Sequence, residues 1–279
     1  MLASRLAVAR LAVAFLATLA LSGAAQVQDN YNPTVGQPGK DVVWVPTPDA
    51  VVTEMLKAVK VTKDDIIYDL GSGDGKIPIA AAKNYGVKAT GIEYNPEMAE
   101  FARRNVKRAG VENQVNIITG DIFVEDFSKA TVVTMYLLPQ LNVKLRPTIL
   151  AMKPGTRVTS HQFDMGDWDA DQHMKIESRD AYVWIVPAQV GGEWALKDER
   201  DSMNAMINLV QRYQRLGGTI TVGGKTQPLL GPWVDGDKFG FSFIDGENTL
   251  QTVRMTVAGS SMAGSLSDSR RTQVTASKR

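Results

Sequence analysis

The sequence predicts a doubly wound α/β domain with a largely parallel sheet, followed by a small antiparallel β domain. Residues 66–95 (IIYDLGSGDGKIPIAAAKNYGVKATGIEYN) are typical of strand, glycine turn, helix and strand, a βαβ unit with a nucleoside site at its first turn. The run TVVTMY at 131–136 is continuously apolar, as a strand covered on both faces of a parallel sheet requires. After residue 190, glycine-containing turns separate short alternating runs, which favours antiparallel strands in a barrel or sandwich.

The glycine turn is the centre of the predicted site. Gly71, Gly73 and Gly75 allow a sharp turn and let a ligand approach bare backbone. The helix that begins near Lys76 directs free N–H groups and its positive dipole end at that ligand. Glu93 lies 22 residues after Gly71 at the predicted end of the second strand. Its carboxylate is therefore placed to accept both hydroxyls of a ribose.

The spacing of the glycines decides which nucleoside is bound. A dinucleotide fingerprint needs its third glycine three positions after the second, and Lys76 occupies that position here. Asp69 precedes the turn and completes the pattern D-x-G-x-G-x-G, which resembles class I S-adenosylmethionine (SAM) methyltransferases. The resemblance implies that SAM is the cofactor and that the helix N-terminus faces its carboxylate. The cofactor-binding residues implied so far are Asp69, Gly71, Ser72, Gly73, Gly75 and Glu93.

A further carboxylate follows the third predicted strand, which covers residues 115–119. In the resembling family an acid at this place, followed by an apolar residue, commonly binds the adenine amino group. The resemblance therefore assigns adenine binding to Asp121 and Ile122. The alternative for Asp121 is a turn residue that caps the next segment.

The methyl-acceptor position of the family follows the fourth strand. Here the sequence is Tyr136-Leu137-Leu138-Pro139, and residues just past a strand's carboxyl end face the ligand crevice. It differs from the Asn/Asp-Pro-Pro-Tyr of DNA adenine methyltransferases, which disfavours a nucleobase amine as acceptor. We expect Tyr136 to line the acceptor site, with His161 as proton acceptor and Asp164 as ammonium guide. The alternative is a locally hydrogen-bonded histidine and a turn aspartate, with Trp168 as a packing residue.

Residues 46–187 as a whole resemble exported bacterial methyltransferases and, more distantly, the ATP-synthase c-subunit lysine methyltransferases. The segments that carry the resemblance are PTP…VV…ML, DLGSGDGKIPIAAAK, GIEYNP, YLLP, KPGTRV and FDMGDW. The resemblance implies a Rossmann-like, seven-stranded methyltransferase sheet and an in-line methyl transfer. We expect a protein lysine as acceptor. A small molecule methylated on O or N, and a non-catalytic nucleoside-binding protein, remain the alternatives.

The two ends of the chain are predicted to lie outside the main domains. Residues 1–25 contain Arg5 and Arg10, an apolar centre and a small-residue segment, typical of an export signal and short for a membrane span. We therefore expect a periplasmic or secreted protein with no stable span after cleavage. A mitochondrial presequence and an uncleaved anchor are the alternatives. Residues 26–45 are predicted to be a linker, and the polar tail of the 190–279 domain, after residue 267, to be frayed.

Composition limits the remaining chemistry. The formal charge is +1 without a basic run, which predicts no nucleic-acid partner. The chain has no cysteine, which excludes disulfides and thiolate chemistry. It has two histidines, which leave little material for a zinc site, and we predict no metal.

Within 203–216 the apolar spacing fits either a helix or a strand.

Overall fold

The computed structural model describes residues 31–199, 203–267 and 272–279. The predicted export signal at 1–25 and the first residues of the predicted linker therefore lie outside the described residues. Among the residues described, no helix is long and apolar enough to cross a membrane.

The first domain is built on a mixed sheet of seven strands. Its strands follow the chain as β1 (Ile66–Leu70), β2 (Lys88–Glu93), β3 (Val115–Thr119), β4 (Val132–Met135), β5 (Arg157–His161), β6 (Gln172–Ile176) and β7 (Arg179–Ile185). In space the order is β3-β2-β1-β4-β5-β7-β6. The first five strands are parallel, and β6 and β7 form the antiparallel hairpin that closes the sheet. The predicted fold class is confirmed.

Four helices cover this sheet: α1 (Asp49–Ala58), α2 (Lys76–Tyr85), α3 (Pro96–Ala109) and α4 (Pro139–Leu150). Apolar residues of α1, α2 and α3 share one buried cluster with one face of the sheet, and those of α4 share another cluster with the opposite face. Because both faces are covered, all four residues of β4 are buried. The strand order reverses between β1 and β4, which is where ligands bind in open α/β sheets.

The sequence signals for α3 correspond to its observed ends. The Asn95 side chain accepts hydrogen bonds from the backbone N–H groups of Glu97 (2.9 Å) and Met98 (3.2 Å). Pro96 is the first helical residue, and Gly110 ends the helix with a φ of 70°. Because these caps satisfy free backbone groups at both ends, the position of α3 follows from local sequence.

The second domain is an antiparallel sheet of nine strands. They are β8 (Gly192–Asp198), β9 (Asn204–Arg212), β10 (Arg215–Val222), β11 (Lys225–Pro228), β12 (Leu230–Asp235), β13 (Lys238–Ile244), β14 (Leu250–Ala258), β15 (Ser261–Leu266) and β16 (Gln273–Lys278). Alternate residues point into one apolar core, which includes Trp194, Phe239, Phe241 and Phe243.

The nine-stranded sheet curls until its two edges meet. β11 and β12 are the opposite edges of the sheet, yet only Leu229 separates them in the chain. Gln227 of β11 exchanges two hydrogen bonds with the backbone of Ile244 in β13, at 2.6 and 3.0 Å. These contacts join the edge strand β11 to β13, which is the neighbour of the opposite edge strand β12. The domain is therefore barrel-like, and a barrel is one of the two forms that the sequence predicts.

The structure corrects or decides three expectations, which concern the C-terminal tail, residues 204–212 and the predicted linker. Residues 273–278 form β16, which pairs with both β15 and β8, so the prediction of a frayed tail is wrong for this part. Residues 204–212 form a strand and not a helix. Within the predicted linker, Pro38 and Val43 form an antiparallel bridge, and Val42 packs against an apolar cluster of the first domain.

The tip of the β9–β10 hairpin packs against the loop that follows β5. The Tyr213 ring stacks on Trp168 at 5.9 Å between centroids, and the Trp168 indole N–H donates to Gln214 at 2.9 Å. Arg212 pairs with Asp167 at 2.5 Å. Trp168 is fully buried, which agrees with the alternative interpretation of it as a packing residue.

Candidate active site

A cavity of about 630 Å³ opens at the carboxyl ends of β1, β2, β3 and β4. Its volume is within the range of about 300–1,000 Å³ that is usual for small-molecule sites. It brings together eight of the predicted site residues: Asp69, Gly71, Ser72, Gly73, Glu93, Asp121, Ile122 and Tyr136. Gly75, His161 and Asp164 are not among its lining residues.

The glycine turn has the backbone conformation that its sequence predicts. Gly71, Gly73 and Gly75 have φ values of 76°, 54° and 77°, which residues with a Cβ rarely adopt. The turn is also crowded, because a Cβ on Gly73 would lie 2.7 Å from the Trp44 indole nitrogen. Gly75 lies behind the cavity, where a Cβ would approach Ala102 of α3 at 3.3 Å. Gly75 therefore serves the turn and the packing of α2 on α3.

Glu93 connects the end of β2 to this turn. One carboxylate oxygen accepts the Gly73 N–H at 2.8 Å and the other accepts the Asn95 N–H at 2.9 Å. Burial raises the pKa of the Glu93 carboxyl, and the backbone hydrogen bonds oppose that shift. Glu93 also lines the cavity, and a carboxylate has about four acceptor sites, which leaves capacity for a ribose hydroxyl.

Asp69 is the most buried carboxylate of the cavity, with 2% of its surface exposed. It accepts a hydrogen bond of 2.6 Å from the Thr134 hydroxyl of β4. Burial raises the pKa of Asp69 to about 6. A cationic group beside it, such as the amino group of the SAM methionine part, would stabilise its charged form.

Asp121 lies at the opposite end of the cavity, directly after β3. One oxygen accepts the Phe123 N–H at 2.9 Å, and the other accepts the Lys40 ammonium at 2.6 Å. The pKa of Asp121 is lowered, chiefly by the hydrogen bond from Lys40. Ile122 lines the cavity beside it. This end therefore offers one carboxylate and one apolar side chain, as an adenine site requires.

Aromatic and aliphatic side chains form the predicted acceptor end. Tyr136 follows β4, and its ring stacks on that of Phe163 at 6.2 Å between centroids. Leu137, Leu138 and Leu141 complete this wall of the cavity. The predicted position of Tyr136 at the ligand crevice agrees with this geometry.

His161 lies behind Tyr136 rather than across the mouth of the cavity. It is fully buried, its ring centroid is 3.9 Å from that of Tyr136, and its Nδ1 is 3.2 Å from the Thr47 hydroxyl. Its Nε2 has no hydrogen-bond partner among the described residues. Burial, together with the nearby Arg179, lowers the pKa of His161 to about 4. A neutral, enclosed imidazole is a poor proton acceptor at neutral pH, so the geometry favours a packing role.

Asp164 is an exposed turn residue. Its carboxylate accepts the Gly166 N–H at 3.0 Å, and its backbone carbonyl accepts a hydrogen bond of 2.9 Å from Asn142. The structure therefore does not bring Asp164 to the cavity, and the alternative interpretation of a turn aspartate fits its position.

Sequence reasoning missed the segment that covers the cavity. Residues 37–47 contribute a continuous part of the lining, although residues 26–45 were expected to be a linker. The available signal was the apolar run Val42-Val43-Trp44-Val45, which a solvated linker does not need.

Similarity to known proteins agrees with this site. Residues 69–172 match the family described as the ANTKMT methyltransferase domain. A protein-lysine N-methyltransferase of Saccharolobus islandicus is 44% identical over 52% of this chain and 94% of that protein. A lysine N-methyltransferase of the ATP synthase c-subunit from Xenopus laevis is 32% identical over half of this chain, which spans 61% of that relative. A crystal structure titled as an RNA methyltransferase from Salinibacter ruber, in complex with S-adenosyl-L-homocysteine, is 48% identical with a TM-score of 0.51, covering 52% of this chain and 96% of that one.

The chain therefore belongs to the class I SAM-dependent methyltransferases and is related to the ATP synthase c-subunit lysine methyltransferases. SAM is its cofactor, and the carboxylates and glycine turn described above fit that molecule.

The ribose assignment predicts the effect of Glu93→Gln on cofactor binding. The amide keeps one acceptor oxygen but loses the charge, and a charged hydrogen bond contributes about 1.5–3 kcal/mol. We expect S-adenosylhomocysteine to bind about tenfold more weakly by calorimetry. Glu97→Gln, the same change at an exposed position in the first turn of α3, is the matched control. Unchanged binding by Glu93→Gln would show that the ribose lies elsewhere.

The buried His161 predicts a loss of stability in mild acid. The unfolded-state pKa is about 6.5 and the folded-state value is about 4, so between these values the unfolded chain binds a proton that the native chain excludes. Stability is therefore lost as the pH falls through this window. At pH 5 the expected cost is about 2 kcal/mol relative to pH 7.

Urea unfolding of the parent and of His161→Asn at both pH values measures this cost. The variant removes the titrating group, so its stability difference between the two pH values should be smaller by about 2 kcal/mol. His173→Asn, at the exposed histidine, is the control. An equal pH dependence of parent and His161→Asn would contradict the assignment.

Proposed function

We propose that this enzyme transfers the methyl group of SAM to the side-chain amine of a protein lysine. The observation that carries the proposal is the composition of the acceptor end of the cavity. Tyr136 and Phe163 form an aromatic wall there, and Leu137, Leu138 and Leu141 are aliphatic. A lysine has a long aliphatic stem and one terminal nitrogen, which this combination accommodates.

The same wall favours the reactive form of the amine. SAM supplies a methyl group on a sulfonium, so the chain needs to orient the acceptor and exclude water. Apolar surroundings lower the pKa of a lysine and so favour its neutral, nucleophilic form. We assign to the Tyr136 hydroxyl the role of accepting an N–H of that amine and so directing its lone pair; Tyr136 lines the cavity, which supports this assignment. Because His161 is enclosed and neutral, we assign the departing proton to bulk solvent, and the lysine ammonium loses it before its amine is enclosed by the apolar wall.

The names of the relatives support a lysine acceptor and also supply a second candidate. Two of them are named as lysine methyltransferases, whereas the Salinibacter structure is titled as an RNA methyltransferase. RNA binding relies on cationic surface, and this chain has a formal charge of +1. Tyr136-Leu137-Leu138-Pro139 also differs from the motif of nucleobase-amine methyltransferases. Both features favour the lysine.

Transfer of labelled methyl to a cell-envelope extract tests the acceptor. The extract is incubated with the protein and methyl-labelled SAM, and portions are then treated with protease, with ribonuclease or with organic solvent. We expect label that only protease solubilises and that appears as methyl-lysine after acid hydrolysis. Ribonuclease-sensitive label would establish the RNA candidate, and solvent-soluble label would establish a small-molecule acceptor.

Tyr136→Phe tests the assigned geometry once the acceptor is labelled. Loss of one neutral hydrogen bond should slow methyl transfer about threefold to tenfold without changing the affinity for S-adenosylhomocysteine. Tyr85→Phe, at the end of α2, is the matched control. If Tyr136→Phe transfers methyl at the full rate, the Tyr136 hydroxyl does not contact the acceptor amine.

We also propose that the enzyme acts after export to the periplasm or the medium. The proposal rests on the charged start, apolar centre and small-residue end of residues 1–25. Mass spectrometry of the protein purified from its native cells should find an N-terminus near residue 25 or 26. An intact Met1 in a cytoplasmic fraction would overturn the proposal.

A further inference from the structure

A hairpin-like segment of residues 34–44, called the strap below, covers the adenine end of the cavity. Within the strap, the Gly36 N–H donates to the Trp44 carbonyl at 2.8 Å, and the Trp44 N–H donates to the Gln37 carbonyl at 3.0 Å. Val42 packs against the apolar cluster on the α4 side of the sheet. The strap is therefore a folded element with its own hydrogen bonds and an apolar contact to the domain.

Lys40, near the tip of the strap, reaches into the adenine end. Its ammonium is 2.6 Å from Oδ2 of Asp121 and 4.3 Å from the centre of the Tyr94 ring. The side chains of Lys40 and Asp121 are 37% and 26% exposed. The contact is thus partly open to solvent and can separate without breaking the core of the domain.

The Lys40 ammonium makes the contact that adenine needs. The exocyclic amino group of adenine is an N–H donor, and its acceptor in the assignment above is the Asp121 carboxylate. The other Asp121 oxygen already accepts the Phe123 N–H at 2.9 Å. Lys40 is at hydrogen-bond distance from the remaining oxygen, so an adenine amino group that bonds to this oxygen has to approach it beside the ammonium.

We propose that Lys40 is an internal competitor of the cofactor, held in the adenine position by the strap and displaced when SAM or S-adenosylhomocysteine binds. The inference rests on the cofactor site described above and assigns regulation to that same site. Cofactor binding frees Lys40 from Asp121 and loosens the tip of the strap, while Val42 and the strap's own hydrogen bonds keep the segment in place.

Calorimetry of S-adenosylhomocysteine binding to Lys40→Met tests the competition. Exposed ion pairs are weak, so we expect the variant to bind about twofold to fivefold more tightly than the parent at low ionic strength. The difference in affinity between the variant and the parent should become smaller at high ionic strength, because salt screens the Lys40–Asp121 pair that the parent must break. Lys40→Arg keeps the cation and should bind like the parent. Lys57→Met, which removes an exposed pair with Glu54 on α1, is the matched control.

Acylation footprinting of the parent protein gives a second readout. An ammonium held by a carboxylate reacts slowly with an acylating reagent, so mass spectrometry should find faster modification of Lys40 when S-adenosylhomocysteine is present. Lys57 should react at the same rate with and without the ligand.

The outcomes separate this inference from the cofactor assignment. Equal or weaker binding by Lys40→Met, or unchanged or slower acylation of Lys40 on ligand addition, would overturn the competition and leave the cofactor assignment intact. No binding of S-adenosylhomocysteine by the parent and by the Lys57→Met control would overturn both.

Discussion

The Glu93 carboxylate holds the cofactor end of this enzyme together. Its hydrogen bond with the Gly73 N–H fixes a left-handed turn, and its bond with the Asn95 N–H fixes the residue that caps α3. Burying a carboxylate is costly unless donors compensate it, and here two backbone donors do so. The same carboxylate lines the cavity, where it is the predicted ribose acceptor. One group therefore supports the fold of the turn and is also the predicted contact of the cofactor ribose.

The parts of the fold that sequence predicted well are those whose causes are local. The glycine turn requires a positive φ that few other residues adopt, and α3 is defined by Asn95, Pro96 and Gly110 within its own sequence. The continuous apolar character of β4 follows from its burial on both faces. For the same reason, eight of the predicted site residues meet in one cavity, since strand ends and one turn position them.

The parts that sequence did not predict depend on partners far away in the chain. β16 is polar on alternate positions and short, and it is a strand because β8, about 80 residues earlier, pairs with it. The strap is ordered by contacts with Asp121 and the glycine turn. His161 ends β5 as expected, but Thr47 and Tyr136 enclose it. Its pKa, and with it the proton-acceptor hypothesis, was decided by those contacts and not by the motif.

The two ends of the cavity are supported in different ways. Backbone groups of the turn and the strand ends fix the cofactor end, whereas the acceptor wall includes Phe163, which belongs to the loop after β5. Asn142 donates to the Phe163 carbonyl at 3.2 Å, and the β9–β10 hairpin packs on Trp168 farther along the same loop.

The contact between the β9–β10 hairpin and Trp168 requires the barrel domain. The matched part of this chain covers 94% of the Saccharolobus relative, which leaves that protein no room for a domain of this size. Here Tyr213 and Gln214, side chains of a separate domain, hold the loop, and neither of them lines the cavity. The barrel therefore contacts the loop that also carries Phe163, a residue of the predicted acceptor wall.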